Sequence, residues 1–206
     1  MHSEIDGTDP TLTTFLQRLW QNYIAITPQA LQIRSLLEQL GERIENDHVA
    51  FRTYDLQGIS LVEMRTPYLA WGYEHSGDYL FPEKKLRACS LSHPSGHYPR
   101  VFLSELITGD CSSRTQELIR SLVSRIGTPP DIRDFMSGAF PWPRIALDDY
   151  EELAKESEYA AWVSAFGIRA NHFTVSVNAF RSIGGIAELN NLLLEKGFRL
   201  NFGQLT

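Results

Sequence analysis

Apolar residues recur with two different periods along the chain, and each change of period separates a helical segment from a strand-like one. A spacing of three and four residues is typical of helices that bury one face. It predicts an N-terminal helical hairpin over 8–41, a helical middle over 112–167 and a helix between Gly185 and Gly197. Within the middle, acidic residues at the start and a glycine at the end predict one uninterrupted helix over 148–167.

Alternation of apolar and polar residues with a period of two predicts strands. The segments that favour a strand by this pattern or by composition are 47–54, 59–64, 86–91, 100–106, 170–178 and 198–202. The stretch 68–82 is rich in Tyr, Trp, Gly and Pro and favours an ordered loop or a short ribbon. Strands therefore follow the helical start and return near the end of the sequence.

The segment 47–54 has one apolar face and one polar face. His48 and Arg52 fall on the polar face, and Val49 and Phe51 fall on the other. A polar inward face of this kind is typical of a site inside a barrel or half-barrel. The Cα atoms of His48 and Arg52 are expected roughly 13 Å apart, a separation that their side chains narrow to the span of a small dicarboxylate.

Two interpretations of His48 and Arg52 remain open at this point. A metal on His48 would chelate the 2-oxo-acid end of such a ligand while Arg52 binds its far carboxylate with two parallel hydrogen bonds. Alternatively, Arg52 pairs with Asp55 or Glu63, and His48 is a core histidine with satisfied hydrogen bonds.

The segment 170–178 carries a second histidine in a similar setting. His172 shares its face with Thr174, Ser176 and Asn178, which are small and polar and suit a solvated pocket. A single histidine on a strand is more often structural than a ligand. Two histidines from separate strands, however, supply two positions of a site formed by two histidines and one carboxylate around non-haem iron.

Composition limits the classes of function. The 206 residues are 43% apolar and 21% charged, which is typical of a soluble globular protein and predicts a single domain over 1–206. Strand modules at about 46–107 and 170–206 flank the helical middle. The net charge of −6 and the single basic run Lys84–Lys85 argue against nucleic acid as a partner and leave a small anion open. The alternative interpretation of Lys84–Lys85 is a solvated basic turn that binds no ligand.

Other motifs are absent or weak. Cys89 and Cys111 are far apart and predict free thiols. His93 and His97 have the spacing of a helical zinc motif, but the prolines and glycine around them predict a loop.

No stretch approaches the roughly 20 apolar residues that span a bilayer, and the start lacks a signal-like region. We therefore expect no membrane partner and a cytoplasmic location, while the oligomeric state stays open.

Several uncommon phrases, in order along nearly the whole chain, resemble the 2-oxoadipate dioxygenase/decarboxylase family. They are NDHVAFRT at 46–53, YLFPEKKL at 79–86, SEL at 104–106, SEYAAW at 157–162 and NHFT at 171–174. The resemblance implies an α+β protein with a glyoxalase-like (vicinal-oxygen-chelate) fold, in which a mixed sheet forms a half-barrel beside the N-terminal helical hairpin and peripheral helices.

The resemblance also implies a function. Members of the family are non-haem Fe(II) enzymes that convert 2-oxoadipate and O2 to 2-hydroxyglutarate and CO2 in lysine catabolism. The two histidine ligands of the family correspond to His48 and His172, and the arginine that binds the substrate corresponds to Arg52. The expected partners are therefore a 2-oxo dicarboxylic acid and O2.

One feature of the family has no counterpart in the sequence. The third iron ligand of the family is a glutamate on a later strand, and GFRLN at 197–201 matches the segment upstream of it. The resemblance thus implies a C-terminally shortened member: a truncated or frameshifted product, a fragment of a longer gene, or a paralogue with another ligand. Glu63 and Glu105 are weak substitutes. A non-catalytic remnant that binds anions or self-associates, and a metal-dependent glyoxalase or isomerase, are the alternative functions.

Overall fold

The computed structural model describes residues 10–127 and 131–200. Its helices are α1 (Pro10–Ile26), α2 (Pro28–Gln39), α3 (Leu61–Ala70), α4 (Ser113–Val123), α5 (Ile132–Met136), α6 (Leu147–Glu156), α7 (Glu158–Phe166) and α8 (Ile186–Glu195). Its strands are β1 (Asn46–Tyr54), β2 (Glu74–Phe81), β3 (Leu86–Ser92), β4 (Arg100–Leu106) and β5 (Ala170–Val175).

The five strands form one mixed sheet in the order β2-β3-β4-β1-β5. β1 runs parallel to β4 and antiparallel to β5, and the other neighbouring pairs are antiparallel. The sheet is not closed among these strands. The predicted α+β class, mixed sheet and N-terminal helical hairpin are confirmed, and the open sheet agrees with the predicted half-barrel.

The two faces of the sheet have different surroundings. Val49 and Phe51 are buried on one face, which α1 and α3 cover, and the ring of Phe51 lies 6.4 Å from that of Tyr68 in α3. On the opposite face, α7 packs against the end of β1, where the buried Tyr54 hydroxyl donates to the carbonyl of Ala160 at 2.6 Å. The remainder of that face borders a large cavity. The fold therefore leaves the polar side of β1 accessible.

The strand expected over 59–64 is wrong, because Leu61 to Glu63 form the first turn of α3 and Ser60 is its N-cap. The Ser60 side chain accepts a hydrogen bond from Val62 N at 3.2 Å. The Glu63 carboxylate accepts hydrogen bonds from the Ser60 hydroxyl and, at 3.0 Å, from Gly58 N. This is the capping arrangement of a Ser-x-x-Glu sequence, and it outweighs the strand-like run of apolar residues.

The uninterrupted helix expected over 148–167 is also wrong. The backbone is extended at Ser157, which divides the segment into α6 and α7, and the Ser157 side chain accepts a hydrogen bond from Ala160 N at 3.1 Å. The serine therefore caps a new helix, α7. This break brings α7 onto the sheet.

Three strand boundaries also differ from expectation. The loop or ribbon expected over 68–82 contains the end of α3 and the eight-residue strand β2. β5 ends at Val175 and a 3₁₀ turn follows, so 170–178 is strand only in its first part. Residues 198–200 are not a strand, since the Phe198 N–H donates to Leu193 O in the turn that closes α8, and 201–202 lie outside the described residues.

Two further expectations concern the thiols and the membrane. Cys89 and Cys111 are free and buried, as predicted. Across residues 10–127 and 131–200, every helix is too short or too polar to cross a bilayer.

Candidate functional site

His48, Arg52 and His172 lie on one face of the sheet. β1 and β5 are adjacent and antiparallel, with His48 opposite Thr174 and Ala50 opposite His172. Residues that face each other across two strands point to the same side, and diagonal neighbours lie about 7–8 Å apart. His172 is thus the diagonal neighbour of His48. The pocket face predicted from the sequence is formed by these two strands.

A β-bulge precedes each histidine. The register between β1 and β5 shifts once around Asp47 and again around Asn171, so each of these residues is the extra one in its strand. Bulges re-aim side chains and are frequent beside active sites. Here they place a polar side chain next to each imidazole ring.

The imidazole of His48 is held on its Nδ1 side. Nδ1 lies 2.8 Å from Oδ2 of Asp47 and 2.9 Å from Oγ1 of Thr174. Arg100 donates to both carboxylate oxygens of Asp47, at 2.9 and 3.0 Å. The hydrogen bond from His48 and the Arg100 guanidinium lower the pKa of Asp47. The ring also makes an edge contact with Phe102, with the centroids 5.2 Å apart.

His172 lies on the outer described strand and is exposed, although neighbouring groups still desolvate it in part. Its Nδ1 is 2.9 Å from the amide nitrogen of Asn171. Partial desolvation, together with the nearby Arg52 and His48, lowers the pKa of His172 from its ordinary value. This favours the neutral imidazole at physiological pH, which is the form that binds metal ions.

The guanidinium of Arg52 lies over two aromatic rings. Its guanidinium carbon lies 5.2 Å from the centroid of Tyr159 and 5.1 Å from that of Trp162, both in α7. Burial lowers the pKa of Arg52, but a guanidinium remains charged at physiological pH. No carboxylate within the described ranges lies within ion-pair distance of it. Arg52 therefore presents a rigid fork of donors to the cavity.

The ion pairs considered for Arg52 as an alternative are not formed. Asp55 accepts hydrogen bonds from the backbone N–H and the hydroxyl of Thr108, and Glu63 caps α3. Glu105 faces the other side of the sheet, where it pairs with Arg87 and accepts from Leu61 N at 2.7 Å. Neither Glu63 nor Glu105 reaches the two histidines.

Tyr159 fixes α7 to the sheet. Its hydroxyl donates to Ser104 O at 2.7 Å, accepts from Thr53 N at 3.1 Å and lies 3.0 Å from the Ser104 hydroxyl. Burial raises the pKa of Tyr159, so the phenol stays protonated. The network holds one of the two rings that contact Arg52.

Replacing Tyr159 by Phe is expected to destabilise the protein by about 1–3 kcal/mol, because two backbone groups lose their partner. The ring that stacks on Arg52 is retained, so the change should reduce stability more than ligand affinity. Urea unfolding measures the effect. Tyr79→Phe is the control, since the Tyr79 hydroxyl makes one long contact of 3.3 Å with Ser90. Equal stability of the two variants would contradict the role given to the Tyr159 network.

A cavity of about 830 Å³ joins these side chains. His48, Arg52 and His172 line it together with Phe102, Tyr159 and both residues of the basic run. Lys85 in that run forms an ion pair with Glu156 at 2.6 Å. Glu83, Glu156 and Glu158 also line the cavity, so its lining carries both signs of charge, with aromatic rings beside His48 and Arg52.

The Lys85–Glu156 pair ties the rim of the cavity to α4. Glu156 also accepts from Ser112, at 2.9 Å from N and 2.6 Å from Oγ. The hydrogen bonds from Lys85 and Ser112 lower the pKa of Glu156 to about 2. Because this pKa is below the unfolded-state value, the carboxylate stabilises the fold above about pH 4.5, and the contribution is lost as the pH falls towards 2.

Glu156→Gln is therefore expected to lower the free energy of unfolding at pH 7 by about 1 kcal/mol, a value reduced by partial solvation. The difference from wild type should shrink steadily below about pH 4.5. Urea titrations at several pH values measure it. Glu152→Gln, which removes a more exposed pair with Lys155, is the matched control and should have a smaller effect. A pH-independent difference would refute the assignment.

His75, His93 and His97 lie outside this cavity. His93 and His97 lie in the loop between β3 and β4, as predicted, and His93 contacts Ser95 and Trp71 O. His75 is in β2, and its Nε2 lies 3.1 Å from Asp78.

Sequence reasoning missed four residues of the site: Asp47, Asn171, Tyr159 and Trp162. The two aromatic residues stand three apart, which places them on one side of a helix. This spacing was a usable signal. The bulges that bring Asp47 and Asn171 to the histidines have no signature in the sequence.

A comparison with models of protein families shows which family the chain belongs to. Residues 10–136 match the model of the 2-oxoadipate dioxygenase/decarboxylase family. The chain belongs to this family. The match confirms the resemblance inferred from the sequence.

Two curated relatives carry the family name. The chloroplastic 2-oxoadipate dioxygenase/decarboxylase of Arabidopsis thaliana is 36% identical over an alignment of 194 residues that covers 87% of this chain and 52% of that protein. The chloroplastic/amyloplastic enzyme of Oryza sativa subsp. japonica is 31% identical over 95% of this chain and 57% of its own length. The chain thus spans a little more than half the length of these relatives.

Solved structures agree with this assignment. The hydroxyglutarate synthase of Oryza sativa, solved in complex with 2-oxoadipate, superposes with a TM-score of 0.87 at 29% identity, covering 94% of this chain and 67% of that one. A protein of Shewanella frigidimarina NCIMB 400 gives a TM-score of 0.86 at 38% identity, covering 95% and 76%. A glyoxalase-superfamily structure from Ralstonia eutropha JMP134 gives 0.67 at 18% identity, covering 92% and 67%, and shows the shared fold.

The histidine pair suits two positions of a metal site. Each Nδ1 contacts a neighbouring side chain, which leaves Nε2 as the nitrogen for a metal. The amide oxygen of Asn171 is buried and has no partner among the described residues, and a half-turn of the amide would let it accept from Nδ1 of His172. No group of three or more His, Cys, Asp or Glu side chains in the described ranges forms a metal site. The described residues thus supply two ligands and not a third.

Proposed function

We propose that this chain carries the active-site pocket of an Fe(II)-dependent 2-oxoadipate dioxygenase/decarboxylase of lysine catabolism. The reaction converts 2-oxoadipate and O2 to 2-hydroxyglutarate and CO2, and its atoms balance without another reductant. The observation that carries the proposal is the convergence of His48, His172 and Arg52, which forms no ion pair with a described carboxylate, on one cavity. The rice homologue, solved with 2-oxoadipate, supports the substrate.

The arrangement suits a substrate with a carboxylate at each end. Arg52 would bind the carboxylate remote from the 2-oxo group with two charge-assisted hydrogen bonds. Its stacking on Tyr159 and Trp162 reduces the rotamer entropy lost when the ligand binds. The 2-oxo-acid end would then lie towards His48 and His172.

The histidines would hold Fe(II) through Nε2, and the metal would supply the one-electron and O2 chemistry that side chains lack. Asp47 and Asn171 would orient the two rings. Phe102, which contacts the ring of His48, would limit the access of water to the reacting end. Arg52 would fix the direction in which the substrate enters.

Turnover tests the proposal directly. The full chain is loaded with Fe(II) without oxygen, 2-oxoadipate is added, and O2 uptake is followed while CO2 and 2-hydroxyglutarate are quantified. Equal amounts of O2 consumed and of the two products formed are expected. Iron-loaded protein that consumes no O2 in the presence of 2-oxoadipate would contradict the dioxygenase function.

A second function is favoured by one observation, namely that the described residues provide two metal ligands and no third. On this alternative the chain is a non-catalytic module that binds a 2-oxo dicarboxylate. It predicts binding of 2-oxoadipate without O2 uptake. Conversion of the ligand under strictly anaerobic conditions would instead indicate a glyoxalase or isomerase. The cytoplasmic location stays a prediction.

A further inference from the structure

Asp47 stands between a cation and the imidazole of His48. One side of its carboxylate contacts Nδ1 of His48 at 2.8 Å, and Arg100 donates to both of its oxygens at 2.9 and 3.0 Å. Arg100 lies on β4, directly opposite His48 in the parallel register. Three side chains from two neighbouring strands thus form a continuous chain of charge-assisted contacts that ends at the pocket.

These contacts determine which nitrogen of His48 carries the proton. An ionised carboxylate only accepts hydrogen bonds, so Nδ1 must be the protonated nitrogen when the ring is neutral. The lone pair is then on Nε2. The Thr174 hydroxyl, at 2.9 Å from Nδ1 and 3.1 Å from the backbone N of His48, holds the ring from the opposite strand.

We propose that Asp47 is a positioning residue that fixes His48 as the Nδ1–H tautomer and presents its Nε2 to a metal ion. A carboxylate behind a ligating histidine fixes ring orientation and raises its basicity, and its loss typically costs about 10- to 100-fold in metal affinity. The bulge at Asp47 is the structural device, because the extra residue brings a side chain that would otherwise alternate to the far face against the ring. This inference rests on the proposed metal-binding role of His48.

The tautomer is measured without metal. In protein with ¹⁵N-labelled histidine, at a pH where imidazoles are neutral, the His48 signals are assigned by their disappearance in His48→Ala. Wild type should show a protonated Nδ1 and an unprotonated Nε2. In Asp47→Ala the population should shift towards protonated Nε2, while Asp47→Asn, which can still present an acceptor oxygen, should shift less. Circular dichroism confirms that each variant is folded.

Metal affinity is measured by titrating Co(II) alone into the full chain. Asp47→Ala should weaken binding about 10- to 100-fold, and Asp47→Asn should weaken it less. The matched control is Asp78→Ala, which removes an aspartate at 3.1 Å from His75, outside the cavity, and should leave the affinity unchanged.

The outcomes distinguish the positioning role of Asp47 from the metal-binding role of His48 on which it rests. If wild type binds Co(II), His48→Ala loses binding, and Asp47→Ala keeps both the wild-type affinity and the wild-type tautomer, the positioning role is wrong and the metal site stands. If wild type binds no Co(II), the proposed metal function is wrong, and with it the role of Asp47 towards a metal.

Discussion

Replacing Arg52 by methionine is expected to weaken 2-oxoadipate binding by about 10- to 100-fold. Methionine preserves much of the apolar volume beside the rings of Tyr159 and Trp162 but removes the charge and the donors. A hydrogen bond to a charged group contributes about 1.5–3 kcal/mol, and about 1.4 kcal/mol corresponds to a factor of ten. Calorimetric titration of 2-oxoadipate into Co(II)-loaded protein measures the loss.

Two comparisons make this result specific. Arg52→Lys retains the charge but not the two parallel hydrogen bonds or the stacking. Its affinity for 2-oxoadipate should therefore lie between those of wild type and Arg52→Met. 2-Oxohexanoate lacks the remote carboxylate and should bind wild type and Arg52→Met equally. Arg34→Met is the matched control, since Arg34 also lies on an aromatic ring, that of Trp20, but outside the cavity. Unchanged 2-oxoadipate affinity in Arg52→Met would exclude Arg52 as the carboxylate site.

Removal of either pocket histidine should have the largest effect on metal binding. His48→Ala and His172→Ala are each expected to weaken Co(II) binding by more than about 100-fold, since loss of a group that merely orients a ligand costs about 10- to 100-fold. Both variants should also lose any O2 uptake that depends on 2-oxoadipate. Co(II) titration and an oxygen electrode provide the two measurements.

His75→Ala is the control for these variants, because His75 is paired with an aspartate but lies outside the cavity. It should bind Co(II) as wild type does. Retention of wild-type affinity by His172→Ala would remove β5 from the metal site and leave His48 without a partner ligand. Unfolding curves establish that the variants are folded.

Elements that bury only one face could be predicted from the sequence. The alternation in β1 is clear because Val49 and Phe51 enter the core while His48 and Arg52 face the cavity. The strand predicted over 59–64 is wrong because a short apolar segment fits a strand and a helix equally, and the deciding signal is the hydrogen bond between Ser60 and Glu63, three residues later.

The sequence predicts only part of the site, because strand alternation is a local pattern and the pairing of distant segments is not. His48, Arg52 and His172 follow from strand alternation, but their neighbours depend on pairing between distant segments. Asp47 contacts His48 because the register shifts, and a shift between strands more than 100 residues apart leaves no local pattern. The approach of α7 to Arg52 likewise depends on the helix break at Ser157.

The central claim is that one pocket holds a metal and a 2-oxo dicarboxylate together, with His48 and His172 on the metal and Arg52 on the remote carboxylate. Titrating 2-oxoadipate into the full chain with and without bound Co(II) tests it most directly, and independently of turnover. Coupled sites typically change each other's affinity by about 5- to 150-fold, so Co(II) should tighten 2-oxoadipate binding within that range. Equal 2-oxoadipate affinity in the two states would contradict the account.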